Sequence, residues 1–90
     1  MTPLYEINLN LNIPHVWDID TAGNDPKWLV EAMNTMMDAV RNTEWAQNDR
    51  GVWWLRVEWK TPYNHDTVYA RLNAAILAAV DGAVVLHGVA

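Results

Sequence analysis

The side chains with the most evident chemistry in this 90-residue chain are three histidines, His15, His65 and His87, and the acid pair Asp18 and Asp20. Histidine titrates near neutrality and serves as a general acid or base, or as a metal ligand. A metal site requires the rings to converge, and their spacing carries no zinc signature. His65 and His87 can approach one another, with Asp66 beside them, whereas His15 is expected at the opposite end of the sheet. Nucleophiles are scarce: there is no Cys and no Ser, and no Thr, Asp or Lys stands in an arrangement that would activate it. No catalytic, cofactor-binding or metal-ligating residue is assigned, and the reading leans away from an enzyme.

The segment Asp18-Ile19-Asp20-Thr21-Ala22-Gly23 sets carboxylates at positions 1 and 3 and glycine at position 6 of a calcium-loop pattern. Ala22 at position 5 and Leu29 at position 12, where a bidentate acid is needed, break it. Nor does a glycine-rich phosphate cradle lie nearby. The segment reads as a solvated loop rich in turn formers.

Recognition chemistry is better represented. In Val52-Trp53-Trp54-Leu55-Arg56-Val57-Glu58-Trp59-Lys60, the residues Trp53, Leu55, Val57 and Trp59 form one apolar set, while Trp54 falls with Arg56, Glu58 and Lys60. Successive side chains of a strand point to opposite faces, so Trp54 is expected on the polar one. Two readings bury it instead: a bulge that turns both tryptophans inward, or His15-Val16-Trp17 folding over it. An exposed Trp beside Arg has the composition of an interface hot spot. The run Arg50-Gly51-Val52-Trp53-Trp54-Leu55-Arg56-Val57 partly resembles the third-strand motif of RNA-recognition domains, which stack bases on an open sheet. Val52 and Val57 stand where that motif has aromatics, and Trp53 where it has a small residue.

A formal net charge of −5 lacks the basic footprint of a nucleic-acid binder and favours solubility or a basic partner. The length suits one domain over residues 1–90, and six tryptophans supply large buried areas to its core. No secretory signal is read at Met1-Thr2-Pro3-Leu4, and the apolar stretch from Ala74 to Ala90 is divided by Asp81-Gly82. No membrane span and a cytoplasmic location are expected.

The elements that must position these residues follow from periodicity. Tyr5, Ile7, Leu9, Leu11 and Ile13 alternate with Glu6, Asn8, Asn10 and Asn12, predicting a half-buried strand over 5–13. A loop follows to Gly23. Asp25-Pro26 reads as an N-cap with proline at the first helical position, opening a helix from about 26 to 42 on Leu29, Met33, Met36, Met37 and Val40. Residues 43–47 read as a short strand, with Asn48-Asp49-Arg50-Gly51 as a hairpin turn; a frayed end of the first helix is the alternative. After Thr61-Pro62, Asn64 or Asp66 caps a helix with Val68, Leu72, Ala75, Ile76, Ala79 and Val80 on one face, and Ala83 to Leu86 is a last strand.

This order predicts a ferredoxin-like βαββαβ sandwich, an antiparallel sheet with two helices on one face. Its open face would present Trp54, Arg56 and Glu58 beside Asn8, Asn10 and Asn12. The expected function is that of a small acidic, non-enzymatic protein-binding module without a cofactor. An inhibitor or accessory factor of phage or mobile-element type fits that description, working in the host cytoplasm. Two alternatives stand beside it: a structural homo-oligomer or viral assembly component, and a dimeric α+β barrel that binds or converts a small ligand.

Overall fold

A computed structural model describes the backbone of residues 2–89 and the side chains of residues 2–87. It contains one five-stranded sheet and two α-helices, a mixed α+β architecture. Strand β1 (Leu4–Leu9) sends Tyr5 and Ile7 into the core. The alternation continues in the sequence to Ile13, but the strand does not. The Asn10 side-chain oxygen accepts the backbone N–H groups of Asn12 and Ile13, at 2.8 and 3.0 Å, and turns the chain. Asparagine competes with a sheet ladder in this way wherever a turn is available. Leu11 and Ile13 are consequently exposed.

Strand β2 (Val16–Asp20) then returns antiparallel to β1, in the segment expected to be loop. Trp17 and Ile19 are fully buried while Asp18 and Asp20 face outward, a period-two pattern confined to five residues. Helix α1 (Pro26–Asn34) starts as predicted, with the Asp25 carboxylate accepting from the Lys27 N–H at 2.9 Å. It ends eight residues before the expected limit of 42. A 3₁₀ turn (Met37–Ala39) follows, and strand β3 (Val40–Gln47) takes up the rest. Met36 and Val40 are buried as the helical spacing required, but Met37, expected on the same face, is 49 % exposed, because the chain leaves the α-helix before it.

The turn at 48–51 forms as expected: the Asn48 side chain accepts from Arg50 and Val52, and Gly51 takes φ +77°. Strand β4 (Trp53–Trp59) pairs with β3 on one side and β2 on the other, antiparallel in both cases. Asn64 caps helix α2 (His65–Ala79), and strand β5 (Val84–Val89) lies parallel to β1.

The strand order is β3-β4-β2-β1-β5. The ferredoxin-like βαββαβ expectation, with a wholly antiparallel sheet, therefore does not fit. The elements β2-α1-β3-β4-α2-β5 have the expected succession, but β1 is inserted between β2 and β5 and makes the sheet mixed. β1 adjoins β2 and β5, not β4. Both helices pack on one face: Leu29, Ala32, Met33 and Met36 join Val68, Leu72 and Ile76 in a single core with Tyr5, Ile7, Trp17, Ile19, Leu55, Val57 and Trp59. Neither helix covers the opposite face. Among the described residues no helix is long and apolar enough to cross a membrane.

Candidate functional site

β4 keeps its register without interruption from Trp53 to Trp59, and the sheet's one irregularity falls on β3 between Val40 and Asn42. The alternation of β4 is therefore intact. Trp54, Arg56 and Glu58 project onto the uncovered face, and Leu55, Val57 and Trp59 into the core. Neither reading that buries Trp54 applies. No bulge turns it, and Val16 and Trp17 form β2 beside it instead of folding across it.

Cross-strand register sets out the open face in rows. Asp20, Trp54 and Ala46 are in line, as are Asp18, Arg56 and Glu44; Glu6 is opposite Asp20, and Asn8 opposite Asp18. Arg56 is the hub. Its Nε and Nη2 donate to the two carboxylate oxygens of Asp18, at 2.9 and 3.1 Å. Such a fork fixes the guanidinium plane as well as its charge. The Asp18 hydrogen bonds raise the Arg56 pKa above its ordinary value, and Asp18 and Glu44 raise it further through their charge. The same guanidinium carbon lies 5.5 Å from the centre of the Trp54 ring, within cation–π range. Trp54 is half-buried, with Ala46 and Asp20 in register on either side of it.

Glu58 has a looser setting, with His15 Nε2 at 3.5 Å and Arg41 Nε at 3.8 Å. Among the described residues no cation bridges Glu6, Asp20 or Glu44 at this range. The face is acidic around a cation that its neighbours more than neutralise.

Of the residues expected on this face, Trp54, Arg56, Glu58 and Asn8 are there. Asn10 and Asn12 are not: Asn10 is spent on the β1–β2 turn, and Asn12 lies exposed within it. Asp18 was missed because its strand was read as a loop. The alternation of Trp17 and Ile19 with Asp18 and Asp20 was the signal that would have found it.

A second group of polar rings closes one end of the core. Trp17 meets Trp59 edge-on at 5.1 Å and His65 at 5.3 Å; His65 lies 5.4 Å from His87, which lies 4.6 Å from Tyr69. The expected approach of His65 and His87 therefore occurs. The placement of His15 at the other end is corrected, because β1 and β4 are both antiparallel to β2 and run the same way. His15 before β2 and His65 after β4 consequently share an end. His15 turns to Glu58 on the open side, whereas His65 lies with Asp66, Nδ1 to Oδ1 3.2 Å, and its Nε2 is buried without a hydrogen-bond partner. Among the described residues no set of three or more His, Cys, Asp or Glu side chains is disposed to hold a metal ion.

Comparison with protein-family models, with curated proteins and with solved structures gives no significant match.

Proposed function

We propose that this chain is a non-enzymatic protein-binding module whose contact surface is the open sheet face, centred on Trp54 and Arg56. The observation that carries the reading is the Asp18–Arg56–Trp54 stack. A two-point carboxylate fork holds the guanidinium over the indole, so an aromatic–arginine pair of the kind enriched at interface hot spots is ordered before any partner arrives. Glu58 and Asn8 extend the surface on either side. The surrounding carboxylates of Glu6, Asp20 and Glu44 suit a basic partner surface and disfavour a phosphate backbone. Small size and a net charge of −5 fit an inhibitor or accessory factor that acts by occupying a partner, as phages and mobile elements encode for use in the host cytoplasm.

The test is affinity capture from the native host with the unmodified chain, Trp54→Ala and Arg56→Ala in parallel. A partner retained by the first and lost by both folded variants supports the reading. One retained equally by all three sinks this contact face.

A homo-oligomer has one observation in its favour. β5 is a sheet edge whose Val84 and Leu86 are 43 % and 48 % exposed, an apolar strip of the kind that pairs with another chain. Solution mass at micromolar concentration separates the two readings. Val84 and Leu86, in register with Leu4 and Glu6, lie at the margin of the open face; a barrel closed through that face would also bring its carboxylates Glu6, Asp18, Asp20, Glu44 and Glu58 into one enclosed space.

A further inference from the structure

The other sheet edge, β3, combines two features that the open face does not use. The first is a notch on its helix-side flank. Trp45 and Thr43 share that flank with the buried Leu55 of β4, and Thr43 is exposed and Trp45 half-buried. With Val30, Met33 and Met37 they line a cavity of about 170 Å³. Val30 is 41 % exposed and Met37 49 %, and Trp53 continues the apolar surface, edge-on to Trp45 at 6.2 Å. A pocket lined mainly by apolar side chains, at the margin of a sheet, is the usual site for alternate side chains of an added strand.

The second feature is charge on the opposite flank of the same strand. Glu44 projects to the open face, exposed, and among the described residues no cation bridges it at salt-bridge range. Arg41, at the irregular start of β3, is already directed to Glu58 at 3.8 Å. The edge therefore carries an apolar notch on one flank and a single unbridged carboxylate, Glu44, on the other, with the outward backbone groups of β3 between them.

We propose that the β3 edge receives an extended peptide segment of a partner in which basic residues alternate with large apolar ones. Its backbone would extend the sheet. Successive side chains would then fall alternately beside Glu44 and into the notch between Val30, Met37 and Trp45, because strand geometry sends neighbours to opposite faces. Glu44 disfavours an acidic residue at the position beside it, and the irregularity at Val40–Asn42 limits the length that can pair. This site is separate from the one centred on Trp54, and either can fail without the other.

The probe is a synthetic peptide of alternating Lys and Ile, compared with a Glu–Ile peptide of equal length and a Lys–Ile peptide of shuffled order. The expected result is binding by the alternating basic peptide alone, with slowed hydrogen exchange at the β3 amides that point away from β4. Val30→Lys and Met37→Lys, at exposed positions, should each weaken binding roughly tenfold, the scale of one interface hot spot. Glu44→Gln should weaken it by a smaller factor and reduce its salt dependence. Three results would overturn the proposal: no binding at millimolar peptide, binding that protects β5 instead of β3, or a self-association through this edge that Met37→Lys abolishes.

Discussion

The seven residues of β4 divide between two faces that are held by different forces. Towards the helices, Leu55, Val57 and Trp59 are at most 2 % exposed and pack against Trp17 and the helical side chains. Away from them, Trp54, Arg56 and Glu58 are tied into a partly solvated network of Asp18, Arg41 and His15. Burial of apolar area accounts for the first and charge-assisted geometry for the second, so the first governs stability and the second governs what the surface can recognise. The comparison predicts that substitutions on the two faces separate cleanly in kind as well as in size.

The largest effect is expected on the core side. Trp59→Ala removes a fully buried ring and its edge contact with Trp17, and should cost about 3–5 kcal/mol in urea denaturation. A loss below about 1 kcal/mol would mean that the core does not depend on this face of β4.

On the open side the Asp18–Arg56 fork should be worth far less. A double-mutant cycle on Asp18→Ala and Arg56→Ala should give a coupling of about 0.5–1 kcal/mol, discounted because both groups are partly solvated. A coupling well above that range would make the network structural, and would erase the proposed division of labour.

Tyr5 sharpens the comparison from within the core. Its hydroxyl is buried without a hydrogen-bond partner, so Tyr5→Phe should change neutral-pH stability by under about 1 kcal/mol, in the stabilising direction if at all. Burial, and then the charge of Asp25, raise its pKa above 10.0. A folded pKa above the unfolded one favours the protonated native state. The associated stability is complete below the unfolded value and lost as pH rises through the folded one. Alkaline melting curves should show that loss in the native sequence and not in Tyr5→Phe.

The smallest effect has the opposite sign and lies on the surface. The hydrogen bonds from Arg71, Nη2 to Asp38 Oδ1 at 2.9 Å, lower the Asp38 pKa below 3.8. Its contribution is present above the unfolded pKa and disappears as pH falls through the folded one. Acid melting of Arg71→Gln should lack that component.

How much of this was legible in the sequence differs along the chain for physical reasons. The β4 alternation, the Asn48–Gly51 turn and the cap at Asp25 depend on neighbouring residues and match the sequence reading, and of the two candidate caps for α2, Asn64 and Asp66, Asn64 is the one used. Errors arose where two local signals competed. The apolar alternation to Ile13 is unbroken, yet the Asn10 side chain turns the chain within it. Met36 and Val40 keep helical spacing, yet Thr35 ends α1, its hydroxyl and N–H both turned back to the Ala32 carbonyl. β2 is only five residues long and carries two aspartates, so it resembled a loop and took Asp18 out of view. Half of the Arg56 site was consequently invisible. The adjacency of β1 and β5 is the one a ferredoxin-like sheet gives its first and last strands; the unread β2 parts β1 from β4 and makes that terminal pair parallel.

That pairing has a kinetic consequence. Among the described residues β5 pairs with no strand but β1, in a register that matches Leu4 with Val84 and Ile7 with His87. Closing so long a loop is entropically expensive until the intervening strands and helices are in place. The β2–β4–β3 portion is joined by much shorter connections and is expected to assemble first, with β5 arriving last. Val85→Ala should therefore accelerate unfolding while leaving the folding rate nearly unchanged, and a stopped-flow chevron would show one limb moving and the other fixed. The strand that completes the sheet is then also the first to leave it.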